Sequence, residues 1–485
     1  MNDNKALGFK RKALRKVIEF FDADKLETHA YRIPFEVIPQ EAKLDVRCCI
    51  YKERAVFRER TLAALGSPVE HDDEATSLND YAKQALDRRE MPRLPMTVLD
   101  IACKGCLRAH HFVTEACQGC LARTCQTACK FGAVSITKGK GHIDPNKCKN
   151  CGQCRAACPY NAIIYIPVPC EQACPVEAIR KTEDGLAQID FDKCISCGHC
   201  MDACPFGAIT ERSQIVDVLR AMKESDKVCA VVAPSVAGQF EGATLAQIIT
   251  ALQKAGFDKI SEVAQGADIT TANEAKELLE CLDRGDQFMT TSCCSAWTQA
   301  VRKHIPDMAK YVSATRTPMS YIAEIEKQNG YTVVFIGPCV AKRVEGLQDP
   351  NIDYVLTFEE LEALFDARAI HPAQCEPAPL NPAISGEGRY YGVTGGVATA
   401  VQAAIHTKRS IKLQTISGLD KKAMLILKAH AKGIGNNFQL LEVMSCKGGC
   451  IGGPCTVCSQ AKAIKPIKEL AENSPHIAPV EKKEK

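Results

Sequence analysis

Cysteine spacing constrains this chain more than any other feature. Of its 28 cysteines, most stand between residues 103 and 204, grouped as C-x-x-C. The pattern C-x-x-C-x-x-C-x-x-x-C followed by proline occurs at 148–159 and again at 194–205, and the flanking sequences HIDPNKC and QIDFDKC repeat with it. Two copies of one pattern, about 46 residues apart, indicate an internal duplication.

These thiols are predicted to bind metal. A chain of 485 residues can bury a core without disulfides, and it shows neither a signal peptide nor an apolar run of membrane length. Zinc is the first alternative, because paired C-x-x-C units also make tetrahedral zinc sites. The triple step with a fourth cysteine before proline is the bacterial ferredoxin run, in which three thiolates hold one [4Fe–4S] cluster and the fourth ligates its partner. Iron–sulfur clusters are therefore favoured over zinc.

If the cysteines bind clusters as they do in ferredoxins, sixteen of them form four quartets, each for one accessory [4Fe–4S] cluster. The quartets are Cys117, Cys120, Cys125 and Cys158; Cys148, Cys151, Cys154 and Cys129; Cys194, Cys197, Cys200 and Cys174; and Cys103, Cys106, Cys170 and Cys204. Sequence does not fix this connectivity, and His110 or His111 is an alternative ligand, although a surface histidine pair is favoured. A row of clusters conducts electrons, so the rest of the chain is expected to use them.

From about residue 213 the composition favours an α/β fold. Residues 228–234, 332–337 and 438–444 are predicted strands, 244–256 a helix, and 353–365 a strand followed by a helix. In such sheets, ligands lie beyond the carboxyl ends of the strands.

Three cysteine motifs follow apolar runs of this region. They contain Cys293 and Cys294, then Cys339, then Cys446 and Cys450. Four of these five thiols are predicted to hold a further [4Fe–4S] cluster. The alternative, a buried structural cysteine, suits Cys229 in a strand and Cys281 in a helix. It does not suit the motifs with polar residues and glycines around the thiols.

The same motifs carry a resemblance to a known family. T-S-C-C-x-x-W (291–297), P-C-x-x-K-x-x-E (338–345) and E-x-M-x-C-x-x-G-C-x-x-G-G (442–453) resemble the three signatures of the [FeFe] (iron-only) hydrogenase catalytic domain. The resemblance covers roughly residues 100 to 460. It implies an H-cluster, which is a [4Fe–4S] cubane joined to a diiron unit with carbonyl, cyanide and azadithiolate ligands. The cubane ligands implied are Cys294, Cys339, Cys446 and Cys450, with Cys450 as the bridge.

The resemblance also implies roles for other residues. Lys342, Ser235 and Pro234 would hold the cyanide ligands, and Met444 would pack against the cluster. A proton relay is implied through Cys293, Glu274, Ser313 and Glu277. Because glutamate is an ordinary helix residue, an exposed helix face is the alternative for the two glutamates.

Several positions depart from the family pattern and indicate a divergent branch. Ser295 stands where the prototypical enzymes have proline, Gly337 where they have methionine, and Met319 where a glutamine points towards cyanide. An additional C-x-x-C, at Cys455 and Cys458, could be a pair of ligands, a redox pair or inert.

Four regions are predicted: a mainly helical segment at 1–98, ferredoxin-like modules at 99–165 and 166–213, and an α/β catalytic domain, two-lobed with parallel or mixed sheets, at 214–485. Cys48 and Cys49 in the first region are expected to be packing residues.

The resemblance implies reversible reduction of protons to hydrogen, a ferredoxin-like electron partner and dedicated maturation proteins. A hydrogen sensor with little turnover and a non-catalytic iron–sulfur assembly protein are the alternatives. The net charge of +3, without a large block of one sign, predicts neither nucleic acid nor a membrane as partner, and the protein is expected in the cytoplasm.

Overall fold

The computed structural model describes residues 5–42, 48–104, 106, 110–225, 227–405 and 411–480. Helices form its N-terminal part: α1 (Lys5–Asp22), α2 (Leu26–His29), α3 (Ile33–Val37), α4 (Ile50–Ala64) and α5 (Leu78–Asp87). The half-buried Lys10 of α1 forms ion pairs with the buried Glu211 and Glu359, so this segment is tied to both later parts of the chain. Cys48 and Cys49 are exposed, and the expectation that they pack in a core is wrong.

The cysteine-rich segment consists of very short elements. They are β1 (Met96–Val98), α6 (Asp100–Cys103), β2 (His110–Val113), α7 (Thr124–Thr127), β3 (Val134–Thr137), β4 (Lys140–Ile143), α8 (Gln153–Ala156), β5 (Ile163–Ile166), α9 (Pro169–Ala173), β6 (Ile179–Lys181), β7 (Ala187–Ile189), α10 (His199–Ala203) and β8 (Ile209–Glu211). The strands form antiparallel pairs, β1–β8, β2–β5, β3–β4 and β6–β7. Gly152 and Gly198, at equivalent places in the duplication, share left-handed φ values of 78° and 79°. The repeat seen in the sequence is therefore also a repeat of the backbone.

The remainder alternates strands and helices. Its elements are α11 (Ile215–Glu224), β9 (Val228–Val232), α12 (Leu245–Lys254), β10 (Lys259–Glu262), α13 (Val263–Arg284), β11 (Met289–Thr290), α14 (Ser295–His304), α15 (Pro318–Gln328), β12 (Thr332–Gly337), α16 (Ala341–Gly346), β13 (Tyr354–Thr357), α17 (Phe358–Ala367), α18 (Gly386–Arg389), α19 (Gly396–Ala404), β14 (Leu413–Ser417), α20 (Lys421–Ala431), β15 (Leu440–Met444) and α21 (Gln460–Glu472). Every strand and helix predicted here from the apolar runs is present within a few residues.

Two parallel sheets organise this region. One has the strand order β10–β9–β12–β13 and the other β11–β15–β14, with all neighbours parallel. Strands β9 and β15 are buried along their whole length, which explains their continuous apolar sequence. The predicted fold class, an α/β domain preceded by small α+β modules, is confirmed.

Local sequence fixes where the surrounding helices begin. The hydroxyls of Thr244 and Thr357 cap α12 and α17, and Gln247 and Glu360 complete a capping box at each. Among the described helices, none combines the length with the apolar character that a membrane crossing requires.

Candidate active site and cluster sites

A cavity lies where the carboxyl ends of the two parallel sheets meet. Segments that follow β9, β11, β12 and β15 form its wall and contribute Ser235, Cys293, Cys294, Cys339 and Cys446 among others. The space not filled by atoms here is about 850 Å³, part of which is open to solvent. This is the edge at which parallel sheets present loops to a ligand.

Cys294, Cys339, Cys446 and Cys450 all line this cavity. Burial raises the pKa of Cys339 to about 11 and that of Cys450 to about 12, and negative charge on the neighbouring thiols adds to both shifts. Thiols gathered in this way resist ionisation unless a positive centre lies between them. The arrangement therefore fits ligands of a cationic cluster.

Backbone dipoles favour negative charge at two of these thiols. Cys294 is the N-cap residue of α14, and the N–H groups of Ala341 and Lys342, in the first turn of α16, point at the Cys339 sulfur. Helix N-termini and backbone donors stabilise anionic groups.

The thiols are too far apart for a single zinc ion. A tetrahedral zinc–thiolate site needs sulfur atoms within about 4 Å of one another, given Zn–S bonds of about 2.3 Å. Over the described ranges, only Glu211, Glu359 and Cys455 bring three metal-binding atoms within 4.8 Å of one another. Neither the cavity thiols nor the sixteen cysteines of the ferredoxin-like segment meet that spacing, so the zinc alternative is disfavoured for both.

One hydroxyl in the wall lacks a partner. The buried Oγ of Ser235 has no hydrogen-bond partner in the part of the chain that the structure describes, whereas the Tyr391 hydroxyl, also in the wall, lies beside the hydroxyl of Thr271. An unpaired buried hydroxyl costs about 1–3 kcal/mol unless a ligand completes it. The Ser235 hydroxyl thus fits a role towards a polar ligand, as the resemblance implied. Tyr391 was missed, since nothing in the sequence around it marks a site.

A buried cation also faces the cavity. The Nζ atom of Lys342 lies 2.7 Å from Oε2 of Glu345. That carboxylate also accepts hydrogen bonds from the hydroxyls of Ser295 and Thr317. Burial lowers the lysine pKa, but Glu345 and the adjacent thiols outweigh it, and the net pKa is raised. Lys342 is therefore held as a cation against the cavity wall.

The structure explains two departures from the family pattern. A side chain at Gly337 would come within 2.7 Å of the Phe335 ring, and that ring lines the cavity. Phenylalanine two residues earlier leaves no room for a larger residue at 337. Ser295 supplies a hydroxyl to Glu345, which a proline could not do. Met319 lines the cavity with an apolar side chain.

Residues of the predicted relay lie side by side behind the cavity. Ser313 Oγ donates to Glu277 Oε2 at 2.6 Å and also lies beside Glu274. Glu274 is fully buried, accepts from the Ser292 N–H at 3.2 Å, and leaves Oε2 without a partner among the described residues. Burial raises its pKa to about 7.

The predicted relay reaches the cavity at Cys293. Burial raises the pKa of this thiol well above its usual value, and the charge of Glu274 adds to the effect. Glu277 is half-buried, so neither glutamate lies on an exposed helix face. Ser292 and Thr315, which also contact these glutamates, were not predicted from the sequence.

The structure also brings members of each predicted accessory quartet together. Cys125 lies beside Cys120 and Cys158; Cys154 beside Cys148 and Cys129; Cys194 and Cys197 beside Cys174; and Cys170 beside Cys103, Cys106 and Cys204. Backbone N–H groups point at several of these sulfurs, as at Cys117, Cys148, Cys174 and Cys204. Such donors are typical of cluster-binding thiolates.

One accessory quartet adjoins the cavity itself. Cys197 lines the cavity wall and lies beside Cys339 and Cys446. His199 Nε2 lies 3.0 Å from the Ser445 carbonyl oxygen, which fixes α10 against the segment after β15. Cys200 of this quartet lies beside Cys170 of another, so two accessory quartets lead from the ferredoxin-like segment to the cavity.

The structure corrects the expectation for the two histidines and separates the two cysteines of the additional C-x-x-C. His111 is buried and packs against Tyr165, so the histidines are not a surface pair. Cys455 and Cys458 are both buried, but they face different groups. Cys455 lies with Lys10, Glu211 and Glu359, whereas Cys458 lies near Lys462 and Glu241.

Comparisons with known proteins agree with this organisation. Residues 226–454 match the family described as iron only hydrogenase large subunit, C-terminal domain, and residues 142–164 and 187–210 match the 4Fe-4S binding domain. Iron hydrogenase 1 of Clostridium pasteurianum is 29% identical over 305 residues, which are 50% of this chain and 53% of that protein. NADP-reducing hydrogenase subunit HndD of Solidesulfovibrio fructosivorans is 29% identical over 413 residues, 69% of this chain and 62% of that protein.

The chain thus spans between 53% and 62% of the length of these two relatives. A ferredoxin described as Ferredoxin 7Fe, from Hydrogenibacillus schlegelii, is 33% identical over 55 residues, 11% of this chain and 70% of that protein. A solved variant of [FeFe]-hydrogenase HydA1 from Chlamydomonas reinhardtii is 23% identical, covers 53% of this chain and 86% of that one, and superposes with a TM-score of 0.42. The cavity cysteines fall within the matched hydrogenase domain, and the repeated cysteine runs fall within the matched cluster domains. The chain is therefore a divergent [FeFe] hydrogenase-like protein with ferredoxin-type iron–sulfur modules.

Proposed function

We propose that this chain is a cytoplasmic [FeFe] hydrogenase that catalyses 2H⁺ + 2e⁻ ⇌ H₂. The observation that carries the proposal is the convergence of three features on one cavity. The four predicted cubane thiols line it, a hydrogen-bonded chain of carboxylates ends at its Cys293 wall, and the Cys197 quartet adjoins it. Proton supply, electron supply and a metal site meet at this point.

The cavity thiols are assigned to the H-cluster. Cys294, Cys339, Cys446 and Cys450 would hold its cubane, and Cys450 would bridge to the diiron unit that maturation proteins insert. When bound, this group supplies an open iron site and a pendant amine at which hydrogen is formed or split. The Lys342 ammonium and the unpaired Ser235 hydroxyl, beside Pro234, would bind its cyanide ligands, and Met444 would pack against it.

Protons are assigned to the carboxylate chain. Glu277 is half-buried and takes protons from the solvent side, Ser313 connects it to Glu274, and Cys293 delivers them to the cavity. A pKa of about 7 at Glu274 suits proton transfer at neutral pH, since the best acid–base groups titrate near the working pH. Apolar side chains, among them Ala267, Val397 and Met444, pack against Cys293 and keep bulk water away from the cavity end of the relay.

Electrons are assigned to the four accessory quartets, with a ferredoxin-like carrier as the outside partner. The four sites would pass single electrons to the cavity through the Cys197 quartet. The similarity to a subunit of an NADP-reducing hydrogenase makes an electron-transferring partner subunit the other source to test.

Hydrogen evolution from a reduced low-potential dye tests the proposal. The protein is loaded anaerobically with cubanes and with the diiron unit, and hydrogen is measured with and without the diiron unit. Turnover only in the fully loaded protein is expected, and loss of it in Cys450→Ala would tie it to the cavity. Fully loaded protein with only trace turnover would instead support a hydrogen sensor, and failure to retain the diiron unit would support an assembly protein.

A further inference from the structure

The two ferredoxin-like modules carry opposite charge. The segment 99–165 has nine lysines and arginines against three acidic residues, whereas 166–213 has four against eight. Both segments contain a copy of the duplicated cysteine run, so the common fold does not demand either sign. Clusters bound to thiolates add negative charge to both modules, and the contrast between them remains. The excess positive charge of the first module is therefore not explained by cluster binding.

The cations of the first module are available to solvent. Besides Lys104, seven are exposed, namely Arg123, Lys130, Lys138, Lys140, Lys147, Lys149 and Arg155. Lys140 pairs with Glu115, and across the described residues the other six have no carboxylate within ion-pair distance. Unpaired exposed charge of one sign produces a long-range field that steers a partner of the opposite sign.

Exposed apolar side chains stand among these cations. Leu121 is 96% exposed, Tyr160 53% and Phe131 47%. Leu121 directly follows Cys120, and Tyr160 comes two residues after Cys158, so both flank one predicted quartet. An apolar centre with a charged rim is the usual make-up of a transient protein interface.

Backbone contacts place several cations at the same quartet. Arg123 is the N-cap residue of α7, and α7 is joined to α8, which carries Arg155, by a hydrogen bond of 2.7 Å from Thr124 Oγ1 to the Ala157 carbonyl. Gly119 abuts the backbone of Gly139, in the β3–β4 turn that also carries Lys138. The surface formed by Leu121, Tyr160, Arg123, Lys138 and Arg155 is called the basic face below.

This face is also where electrons can enter. Of the eight cysteines in the two quartets that lie wholly in the first module, Cys151 is exposed and six are half-buried. Of the eight cysteines in the other two quartets, six are buried. Electron transfer between proteins requires the two cofactors to come close, so a donor has to approach the more accessible clusters.

We infer that the basic face is the docking surface for an acidic one-electron carrier protein whose own cofactor lies near an apolar surface. This inference rests on the proposed function only in taking the quartets to be electron-transfer clusters. The Lys/Arg rim attracts and orients the carrier, and Leu121 and Tyr160 form the dry centre of the contact. Rim charges of this kind act mainly on the association rate and its salt dependence.

Binding of an acidic 2[4Fe–4S] ferredoxin to the cluster-loaded full chain tests the inference. The probe is titrated by surface plasmon resonance at low and high ionic strength. The charge-reversal variant Arg123→Glu/Lys138→Glu/Arg155→Glu should lower the association rate constant about tenfold or more and flatten its salt dependence. Leu121→Ser should instead raise the dissociation rate. A matched variant, Lys432→Glu/Lys465→Glu/Lys468→Glu, changes net charge equally at other exposed positions and should leave binding unchanged.

Several results would overturn the inference. Equal association rates for the two triple variants would remove the basic face from recognition. Stronger binding of the unmodified chain to anionic vesicles or to RNA than to ferredoxin would assign the charge to another partner. Altered cluster midpoint potentials with unaltered ferredoxin binding would make the cations tuning groups. Dye-driven hydrogen evolution, which bypasses the carrier, should be equal in all variants, so its absence throughout would count against the proposed function and leave the binding result standing.

Discussion

The ammonium of Lys342 lies 2.7 Å from the carboxylate of Glu345, on the wall of the cavity that the four predicted cubane cysteines line. Their side chains are only 12% and 19% exposed, so this ion pair is shielded from solvent. Glu345 is held in turn by hydroxyls of Ser295 and Thr317. The pair fixes the position of the one cation that faces the predicted diiron unit among the described wall residues.

Glu345→Gln should destabilise the protein, because it leaves the Lys342 charge buried without a partner. We expect the free energy of unfolding to fall by about 2 kcal/mol, between the values for exposed and fully buried pairs. Glu324→Gln is the control, since the Arg316–Glu324 pair is about 40% exposed and its loss should cost less than about 1 kcal/mol. Thermal unfolding of cubane-loaded protein measures the free energy lost in each variant. Equal losses would show that the Lys342–Glu345 pair stabilises the protein no more than an exposed ion pair does.

Cys293→Ala should abolish most hydrogen evolution, because the thiol is assigned to pass protons and not to bind iron. A loss of about 10²-fold or more is expected from removal of an acid–base group. The electron paramagnetic resonance signal of the cubane should persist, since Cys294, Cys339, Cys446 and Cys450 are untouched. Cys229→Ala, in strand β9 and beside Ser261, serves as control. Full activity in Cys293→Ala rules out the relay.

The raised pKa of Glu274 should make the free energy of unfolding fall as the pH rises. Burial raises its pKa from 4.5 to about 7, so the folded protein holds a proton there that the unfolded chain releases. The stability from this proton is fully present below pH 4.5 and is lost as the pH rises through 7, a loss of about 3 kcal/mol. Glu274→Gln is neutral at every pH, and the variant should not show this loss. Urea unfolding at pH 4 and pH 8 measures the difference.

Glu59→Gln is the control that distinguishes an effect on stability from an effect on proton transfer. Burial also raises the pKa of Glu59 to about 7, but this residue lies in α4 and accepts from the Ile101 N–H. Glu59→Gln should therefore alter the pH dependence of unfolding in the same direction and leave hydrogen evolution unchanged. Glu274→Gln should lower evolution about 10²-fold. Equal activity of the two variants would place Glu274 outside the relay.

The fourth quartet can be tested by iron content. Cys170→Ala should remove one cluster and lower the iron content by about four atoms per chain. Cys455→Ala should leave it unchanged, because Cys455 lies with Lys10, Glu211 and Glu359 and not with a quartet. Loss of iron in Cys455→Ala, or its retention in Cys170→Ala, would contradict the assignment of these cysteines.

The cysteine ligands could be predicted because their chemistry requires fixed local spacing, and the strands because buried parallel strands are continuous apolar runs. Tertiary contacts carried no such signal. Nothing in the sequence showed that Cys197 would line the cavity, or that Ser295 would donate to Glu345 across 50 residues. His111 and the exposed Cys48 and Cys49 were predicted wrongly, since residue type alone does not determine burial.

Isotope exchange tests the central claim most directly, because it reports chemistry at the cavity without the electron path. Fully loaded protein is held under H₂ in D₂O, without dye or ferredoxin, and HD and D₂ are followed by mass spectrometry. We expect exchange in the unmodified chain and about 10²-fold slower exchange in Cys293→Ala. Absence of HD from protein with the diiron unit confirmed in place would contradict the claim that this cavity splits hydrogen.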